Sequence, residues 1–340
     1  METYSQDPIF LNIYLTNRCN LSCKHCIDNS WVLSDEEIRK ELSDEEIFWL
    51  IDYYGERWLM NISFSWWEPL LHKNVFEFVK YARNKDINVT LLSNWTLQTD
   101  KYIQWIVDSW VNFLRSSLEW NLESTHDAIR WDWNFKKVLA FLEKLVNAGV
   151  PKVGVSFVVR KDNLNEIEPL IERLIEMKIN SITIAPLMPS WRWFYLEWQF
   201  LSKEEYKMLV FNVIKLKEKY KWKIDIIFDC PLEAIAYEWN PDKLNNFTPC
   251  IIWRFFLWIK ADGWIYACPM RDNVIIWNIR NDDLDNIWHN SDFLKNIRNT
   301  DLLKWKCAKC SVKKHCWWWC KAFTDLITSS PLNPDPYCWK

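Results

Sequence analysis

Glycine is scarce in this sequence and tryptophan is abundant. The 340 residues include 4 glycines and 26 tryptophans, whereas an average glycine usage of about 7 % would give roughly 24 glycines. Many tryptophans stand in turn-like contexts, where positive φ angles favour glycine and a bulky aromatic residue fits poorly. We therefore interpret tryptophan as standing where glycine is expected; a chain that uses aromatic residues for binding is the alternative. The clearest examples are Asn94-Trp95, Asp132-Trp133, Glu238-Trp239, and residues 190–193 and 317–319.

Long apolar segments and an excess of charge of one sign are also missing. No apolar run reaches the length of a membrane-spanning helix, and no signal peptide is recognisable. The net charge of -3 gives no electrostatic reason to expect nucleic acid or a membrane as a partner. The hydrophobic content of 49 % suffices for a sizeable core. We therefore expect a cytoplasmic protein whose 11 cysteines are reduced and bind metal rather than form disulfides.

Three cysteines form a compact group directly after an apolar, β-prone run at residues 10–15. Cys19, Cys23 and Cys26 have the spacing C-x3-C-x2-C, and no fourth cysteine lies nearby in the sequence. Three thiolates can hold a [4Fe–4S] cluster and leave one iron open to a non-protein ligand. A structural zinc site, which usually has paired C-x2-C ligands, and a disulfide knot are the alternatives.

This triplet resembles the cluster-binding loop of the radical SAM enzymes, and the resemblance covers the whole chain. In that family the open iron chelates S-adenosylmethionine (SAM), and one electron from the cluster breaks a C–S bond to give a 5′-deoxyadenosyl radical. The resemblance therefore implies a [4Fe–4S] cluster and SAM as cofactors. It also implies an electron donor such as ferredoxin or flavodoxin as a partner.

Further motifs follow the predicted strands. Glu68-Pro69 matches the end of the family's Gly-Gly-Glu-Pro motif, but Trp66-Trp67 stands at its two glycines. An ordinary strand-to-helix turn is the alternative for Glu68-Pro69.

The segment around residues 117–131 resembles two further family elements, although Glu119 replaces the commoner aspartate and has no assigned role. The resemblance implies that Glu68, Ser117 and Arg130 are cofactor-binding residues, with Ser117 near the SAM ribose and Arg130 near its carboxylate. Ser93 and Asn94 are also predicted to bind the cofactor, because they are polar residues at the end of the third predicted strand. For His126 and Asp127, helix capping and packing is the favoured alternative. The sequence names no catalytic side chain.

The alternation of strands and helices predicts the fold class. Six predicted strands alternate with helices, which indicates a parallel sheet with right-handed crossovers. We therefore predict an α/β protein with an open (β/α)6 partial TIM barrel, whose working residues lie at the carboxyl ends of the strands. The predicted strands are residues 10–15, 61–65, 87–93, 112–118, 153–160 and 181–187. The predicted domains are a radical SAM core over residues 1–200, a connector over 201–245 and a small cysteine-rich iron–sulfur domain over 246–340.

The second group of cysteines lies in the last of these domains. Its pattern is C-x12-G-x4-C, then C-x2-C-x5-C-x3-C, then a final cysteine. This pattern resembles the seven-cysteine SPASM extension of many radical SAM enzymes. The resemblance implies one auxiliary [4Fe–4S] cluster on Cys250, Cys268 and Cys320, and a second on Cys307, Cys310, Cys316 and Cys338. Cys230 either completes the first auxiliary cluster or is a buried thiol. A zinc ribbon formed by the four central cysteines is the alternative.

The resemblance also predicts the type of function. SPASM proteins mostly modify ribosomally made peptides by thioether or C–C cross-linking, epimerisation or oxidation. Biosynthesis of a tetrapyrrole or another small cofactor is one alternative, and a non-catalytic iron–sulfur relative with a blocked SAM pocket is another. Because the cysteine loop begins at residue 19, we expect a peptide substrate to need a short recognition segment or a separate leader-peptide recognition protein. Pro269 stands where sulfatase-maturing relatives have an aspartate base, which disfavours that activity. With tryptophan at the expected glycine positions, we expect the chain to fold and bind SAM poorly.

Overall fold

Ten strands and fifteen helices make up the part of the protein that the computed structural model describes. The described residues are 4–26, 34–97, 99–187, 196–230, 232–245, 250–252, 254–268, 271–316 and 320–340. The strands are β1 (Phe10–Ile13), β2 (Asn61–Phe64), β3 (Asn88–Ser93), β4 (Phe113–Ser117), β5 (Lys152–Val159), β6 (Ser181–Pro186), β7 (Asp225–Phe228), β8 (Phe256–Ile259), β9 (Trp264–Cys268) and β10 (Arg271–Asn278). The helices are α1 (Asp35–Arg39), α2 (Asp44–Gly55), α3 (Val75–Arg83), α4 (Asp100–Asp108), α5 (Glu123–Asp127), α6 (Asn134–Asn147), α7 (Ile167–Glu176), α8 (Lys203–Lys219), α9 (Glu233–Ala236), α10 (Pro241–Asn245), α11 (Leu284–Asn290), α12 (Asp292–Arg298), α13 (Trp305–Ala308), α14 (Lys313–Cys316) and α15 (Lys321–Thr328).

The strands form one sheet with the order β10-β9-β8-β1-β2-β3-β4-β5-β6-β7. Strands β1 to β7 are parallel neighbours in chain order, as expected when helices connect successive parallel strands. Strands β1 to β6 correspond to the six predicted strands. The predicted α/β class with an open parallel sheet is therefore confirmed.

The sheet extends beyond the six predicted strands at both edges. Strand β7, which lies in the predicted connector, pairs parallel with β6. At the other edge β8 pairs parallel with β1, and β9 and β10 continue the sheet in antiparallel order. A tight turn precedes β9: Gly263 has a φ of +81°, and its N–H donates to the Lys260 carbonyl oxygen at 2.9 Å. The positive φ favours glycine here, and a Cβ would also lie only 3.1 Å from Cγ1 of Ile279.

Local sequence signals explain the main helices. Ser43 and Ser202 form capping boxes with Glu46 and Glu205 at the starts of α2 and α8. The apolar residues of α3 recur at helical spacing and are buried against the sheet. None of the described helices is both long and apolar enough to cross a membrane.

Tryptophan occupies most of the left-handed backbone positions outside glycine. Ten described non-glycine residues have a positive φ, and seven of them are tryptophans: Trp58, Trp66, Trp67, Trp95, Trp110, Trp133 and Trp305. Crowding around Cβ disfavours this conformation by roughly 1–2 kcal/mol per residue. The backbone thus supports the interpretation that tryptophan stands at glycine positions. Trp120 and Trp131, which stand at the glycines of two family elements, and Trp239 have no positive φ, so their backbone adds no support to that interpretation. Residues 190–193 and 317–319 lie outside the described residues.

Candidate functional site

The first cysteine loop lies at the carboxyl edge of the parallel sheet. It follows β1, and Cys23 is buried whereas Cys19 and Cys26 are partly exposed. The Leu21 N–H donates to Cys19 Sγ at 3.4 Å, and the Cys26 N–H donates to the Cys23 carbonyl oxygen at 3.2 Å. None of the chain's 11 cysteines is in a disulfide.

The chemistry of this loop fits a metal cluster. Burial raises the pKa of Cys19 to about 12, so a bare thiolate is unfavourable there. A bound metal removes that penalty because it deprotonates a coordinating thiol outright. Three thiols on one loop, with an N–H directed at one sulfur, are a suitable donor set for a [4Fe–4S] cluster with one open iron.

The carboxylate of Glu68 joins the ends of β2 and β3 beside this loop. Its Oε1 accepts hydrogen bonds from Ser93 Oγ at 2.7 Å and the Leu70 N–H at 3.0 Å, and its Oε2 accepts one from the Asn94 N–H at 2.9 Å. Burial raises the pKa of Glu68 to about 7, although these hydrogen bonds favour the ionised form. Because Glu68 is fully buried and both oxygens are engaged, we expect it to support the site rather than to contact a cofactor directly.

Asn94 connects this network to the cysteine loop. Its Nδ2 donates to Asn20 Oδ1 at 2.9 Å and lies 3.9 Å from Cys19 Sγ. Ser93 and Asn94 are both buried at the end of β3. The structure therefore places Asn94 next to the first cysteine and joins Ser93 to it through the Glu68 carboxylate. Ser117 is the last residue of β4, partly exposed at the same edge of the sheet.

A second network lies on the other side of the loop, around Arg130. Its Nε donates to Glu119 Oε1 at 3.1 Å, its Nη2 donates to the same oxygen, and its Nη1 lies 3.8 Å from Cys23 Sγ. His25, within the cysteine loop, has its Nε2 3.4 Å from Glu119 Oε1. Burial alone would raise the pKa of Glu119, but Arg130 and His25 outweigh burial and hold that pKa below its usual range.

The structure supports the packing interpretation of His126 and Asp127. His126 is fully buried; its Nδ1 accepts the Glu119 N–H at 3.1 Å and its Nε2 lies 2.7 Å from Asn134 Oδ1. Burial and the charge of Arg130 lower the pKa of His126 to about 4. The Asp127 carboxylate accepts the N–H groups of Trp133 and Phe135 at 2.8 and 2.9 Å, which caps the start of α6.

An aromatic cluster fills the region after β2. The ring of Tyr14 lies 5.8 Å from Trp66, 4.9 Å from Trp67 and 6.0 Å from Trp258. Trp66 and Trp67 have φ angles of 61° and 44°, and Lys260 Nζ lies 5.7 Å from the Trp67 ring. These indoles stand at the two positions where the resemblance implies bare glycine backbone against the SAM ammonium.

The remaining cysteines lie in and around the C-terminal part of the chain. Burial raises the pKa of Cys250 to about 11, and burial together with the charges of Cys268 and Cys250 raises that of Cys320. The charges that act on Cys320 include those of the two thiols with which it is predicted to share a cluster. Cys230 is buried, and its Sγ lies 3.1 Å from the Tyr206 hydroxyl.

The distribution of ligands between the two auxiliary clusters stays a prediction. Within the described ranges, no three Cys, His, Asp or Glu side chains converge on a single metal-ion position. The four cysteines assigned to the second cluster are Cys307, Cys310, Cys316 and Cys338, of which all but Cys310 are buried.

Two family models match this chain. The model of the radical SAM superfamily matches residues 13–174, and the model of the SPASM iron–sulfur cluster-binding domain matches residues 250–311. The chain belongs to the radical SAM superfamily and carries a SPASM domain. These domains imply SAM and [4Fe–4S] clusters as cofactors, so the predicted family and cofactors are confirmed. The SPASM match ends before Cys316, Cys320 and Cys338.

Curated relatives align along nearly the whole chain. The AdoMet-dependent heme synthase of Methanosarcina barkeri is 28 % identical, with 95 % of this chain and 94 % of the relative covered. The mycofactocin maturase MftC of Mycolicibacterium smegmatis is 25 % identical, with 97 % and 82 % covered. A second AdoMet-dependent heme synthase, from Nitratidesulfovibrio vulgaris, is 23 % identical, with 95 % and 90 % covered.

Solved structures share the fold. SuiB from Streptococcus suis, bound to S-adenosylmethionine, has a TM-score of 0.81 and 16 % identity, with 100 % of this chain and 79 % of SuiB covered. The native protein anSMEcpe with bound AdoMet has a TM-score of 0.72 and 18 % identity, with 97 % and 94 % covered. At these identities the likeness establishes the architecture alone.

Sequence reasoning missed Glu119 and His25 as members of the site. In the sequence Glu119 is a replacement for aspartate with no assigned role, and His25 is one of the two residues between Cys23 and Cys26. The available signal was their position, since one follows a strand and the other lies in the cysteine loop. Their contact joins residues 94 positions apart, counted from 25 to 119, and only the folded chain reveals it.

Proposed function

We propose that this protein is a radical SAM enzyme that cleaves SAM reductively and removes a hydrogen atom from a substrate. The observation that carries the proposal is the loop with Cys19, Cys23 and Cys26 at the carboxyl edge of the sheet, with the Arg130 guanidinium 3.8 Å from Cys23 Sγ. In open α/β sheets, ligands bind at this edge. The arrangement combines cluster ligands with a cation suited to a carboxylate.

The residues of the chain have distinct tasks in this proposal. Cys19, Cys23 and Cys26 would hold a [4Fe–4S] cluster that leaves one iron open to SAM, and Arg130 would bind the SAM carboxylate as a charge-assisted hydrogen-bond donor. When bound, the cluster supplies the electron that cleaves SAM to the 5′-deoxyadenosyl radical. The buried networks around Glu68 and Glu119 hold the surrounding strand ends in place.

We propose a ribosomally made peptide as the substrate class. Support comes from the mycofactocin maturase relative and from the shared fold with SuiB, which has also been solved bound to its precursor peptide SuiA. The modification would be a cross-link, an epimerisation or an oxidation. A leader-peptide recognition protein and a ferredoxin or flavodoxin electron donor would act as partners.

A tetrapyrrole is the second candidate substrate. Its support is the similarity to two AdoMet-dependent heme synthases, each of which aligns with 95 % of this chain. The chemistry proposed at the first cluster is the same for both substrates. The two proposals differ in the molecule that loses the hydrogen atom.

The first test concerns the cofactor. Anaerobically reconstituted protein should hold about twelve iron atoms if three [4Fe–4S] clusters assemble, and with a reductant and SAM it should form 5′-deoxyadenosine. Replacing Cys19, Cys23 and Cys26 together by Ala should leave about eight iron atoms and no 5′-deoxyadenosine. Bound zinc in place of iron, or undiminished SAM cleavage in the triple variant, would contradict the proposal.

The second test concerns the substrate. The protein is incubated with SAM, a reductant and either a deuterated precursor peptide encoded near its gene or a deuterated tetrapyrrole carboxylate. Deuterium in 5′-deoxyadenosine together with a mass change of the peptide supports the first candidate. Deuterium transferred only from the tetrapyrrole supports the second candidate and refutes the peptide assignment.

A further inference from the structure

Glu119 is a buried carboxylate for which the resemblance implies no role. Its side chain is 1 % exposed, and its contacts come from three different parts of the chain. Oε1 faces the Arg130 guanidinium and His25 Nε2, and Oε2 accepts the N–H of Val158 in β5 at 2.9 Å. Glu119 thus connects the end of β4 to the cysteine loop, to β5 and to the segment after α5.

The contact with Arg130 fixes the direction of the guanidinium. A guanidinium carries its five N–H groups in a rigid planar fork, so holding one edge determines where the others point. Glu119 binds the edge formed by Nε and Nη2, whereas Nη1 lies 3.8 Å from Cys23 Sγ. Nη1 therefore faces Cys23 and would be the nitrogen that donates to a ligand of the open iron.

The loop itself is held to the same place by two further contacts. Lys24 donates its backbone N–H to the carbonyl oxygen of Ile129, the residue before Arg130, at 2.9 Å. His25 Nε2 lies 3.4 Å from both Glu119 Oε1 and Arg130 Nη2, and its Nδ1 is buried with no hydrogen-bond partner among the described atoms. The side chains of His25 and Arg130 therefore both face the Glu119 carboxylate, while a separate backbone hydrogen bond ties the loop to the segment that carries Arg130.

We infer that Glu119 is a positioning residue that acts through Arg130, presenting the guanidinium to the SAM carboxylate and to the Cys23 side of the first cluster. This inference rests on the proposed function, because it takes SAM as the ligand of Arg130. It deepens that proposal, since it explains how the Arg130 guanidinium is held in a fixed position relative to the cysteine loop. Carboxylates one shell out from a metal site orient its ligands, and their loss typically costs 10–100-fold in affinity or activity.

A double-mutant cycle tests the inference. The SAM dissociation constant is measured by calorimetric titration of anaerobically reconstituted wild type, Glu119→Gln, Arg130→Gln and the double variant. Glu119→Gln should raise the dissociation constant by about 10-fold or more, and the double variant should match Arg130→Gln, because a residue that acts through Arg130 has nothing left to position. Additive effects, or an unchanged dissociation constant in Glu119→Gln, would overturn the inference.

A matched control separates positioning from the general cost of removing a buried charge. Glu233 is also buried and paired with a cation, with Lys217 Nζ 2.7 Å from its Oε1, but it lies on α9. Glu233→Gln should leave the SAM dissociation constant unchanged. A similar rise in that variant would assign the effect in Glu119→Gln to loss of stability and refute the inference.

The reduction potential of the first cluster provides a readout that does not need SAM. It is measured by redox titration monitored by electron paramagnetic resonance for the four proteins of the cycle. A shift in Glu119→Gln that is absent when Arg130 is already Gln supports the inference, and no shift, or a shift that is the same in both backgrounds, refutes it. If wild type fails to bind SAM, the proposed function fails, and this titration alone decides whether Glu119 positions Arg130 on the cluster.

Discussion

Replacing exposed tryptophans that have a positive φ by glycine should stabilise the protein. Four such residues are largely exposed: Trp58 at 88 %, Trp110 at 66 %, Trp133 at 66 % and Trp305 at 75 %. Their side chains contribute little burial, so the substitution removes mainly backbone strain. The perturbation is the quadruple variant in which all four are changed to Gly.

The magnitude follows from two opposing terms. Relief of the left-handed conformation contributes roughly 1–2 kcal/mol per residue, and the greater backbone freedom of glycine in the unfolded chain costs about 0.5–1 kcal/mol per residue. At the middle of both ranges the net gain is about 0.75 kcal/mol per site, or about 3 kcal/mol for four sites that act independently. Against a typical total of roughly 5–15 kcal/mol, this is a large fraction.

Urea denaturation of the apoprotein provides the assay. We expect the midpoint to rise with an unchanged slope, which identifies a change in stability rather than in compactness. The matched control is Trp222→Gly with Trp239→Gly, because both residues are 90 % exposed and neither has a positive φ. That pair should leave the midpoint unchanged or lower it. A quadruple variant no more stable than the original, or an equal rise in the control pair, would refute the reasoning.

Four further outcomes are expected. Trp95→Gly should destabilise the protein by about 1–4 kcal/mol, although Trp95 has a positive φ. The indole is buried and its ring lies 4.8 Å from that of Phe141, so its loss costs roughly 3–5 kcal/mol and exceeds the relief of backbone strain. A gain in stability by urea denaturation would contradict this. The pKa of Glu68 is about 7 in the folded protein against an ordinary 4.5, so its proton stabilises the fold below pH 4.5 and this contribution is lost as the pH rises through 7. The free energy of unfolding should fall over that interval, by at most about 1.4 kcal/mol per pH unit, and Glu68→Gln should flatten the decline when the two proteins are compared across the pH range. Asp127→Ala should cost about 0.5–2 kcal/mol through loss of the α6 cap, and an unchanged urea midpoint would show that the cap contributes nothing. Cys230→Ala should keep the full iron content, because its thiol already contacts Tyr206 at 3.1 Å; loss of iron would identify Cys230 as a cluster ligand.

Local patterns in the sequence were sufficient for the order of elements and for the family. The alternation of apolar strands and amphipathic helices depends on neighbouring residues, and the six predicted strands correspond to β1–β6. The cysteine spacings are likewise local, which explains why the radical SAM and SPASM assignments could be made from the sequence. The turn-like contexts of the tryptophans predicted the backbone only in part. Trp95 and Trp133 have the positive φ that such contexts favour, whereas Trp239 stands in a similar context and has no positive φ.

The tertiary structure alone decided what meets at the site. Pairing of β8 with β1 joins residues roughly 250 positions apart, and no local signal specifies that β8 is the second neighbour of β1. The contact of Glu119 with His25 and Arg130 likewise depends on how β4, the cysteine loop and the segment after α5 pack together. A carboxylate at the end of a strand looks the same in the sequence whether it faces solvent, caps a helix or binds a guanidinium. Burial and the position of the opposite charge choose among these roles, and both arise only when distant segments fold against one another.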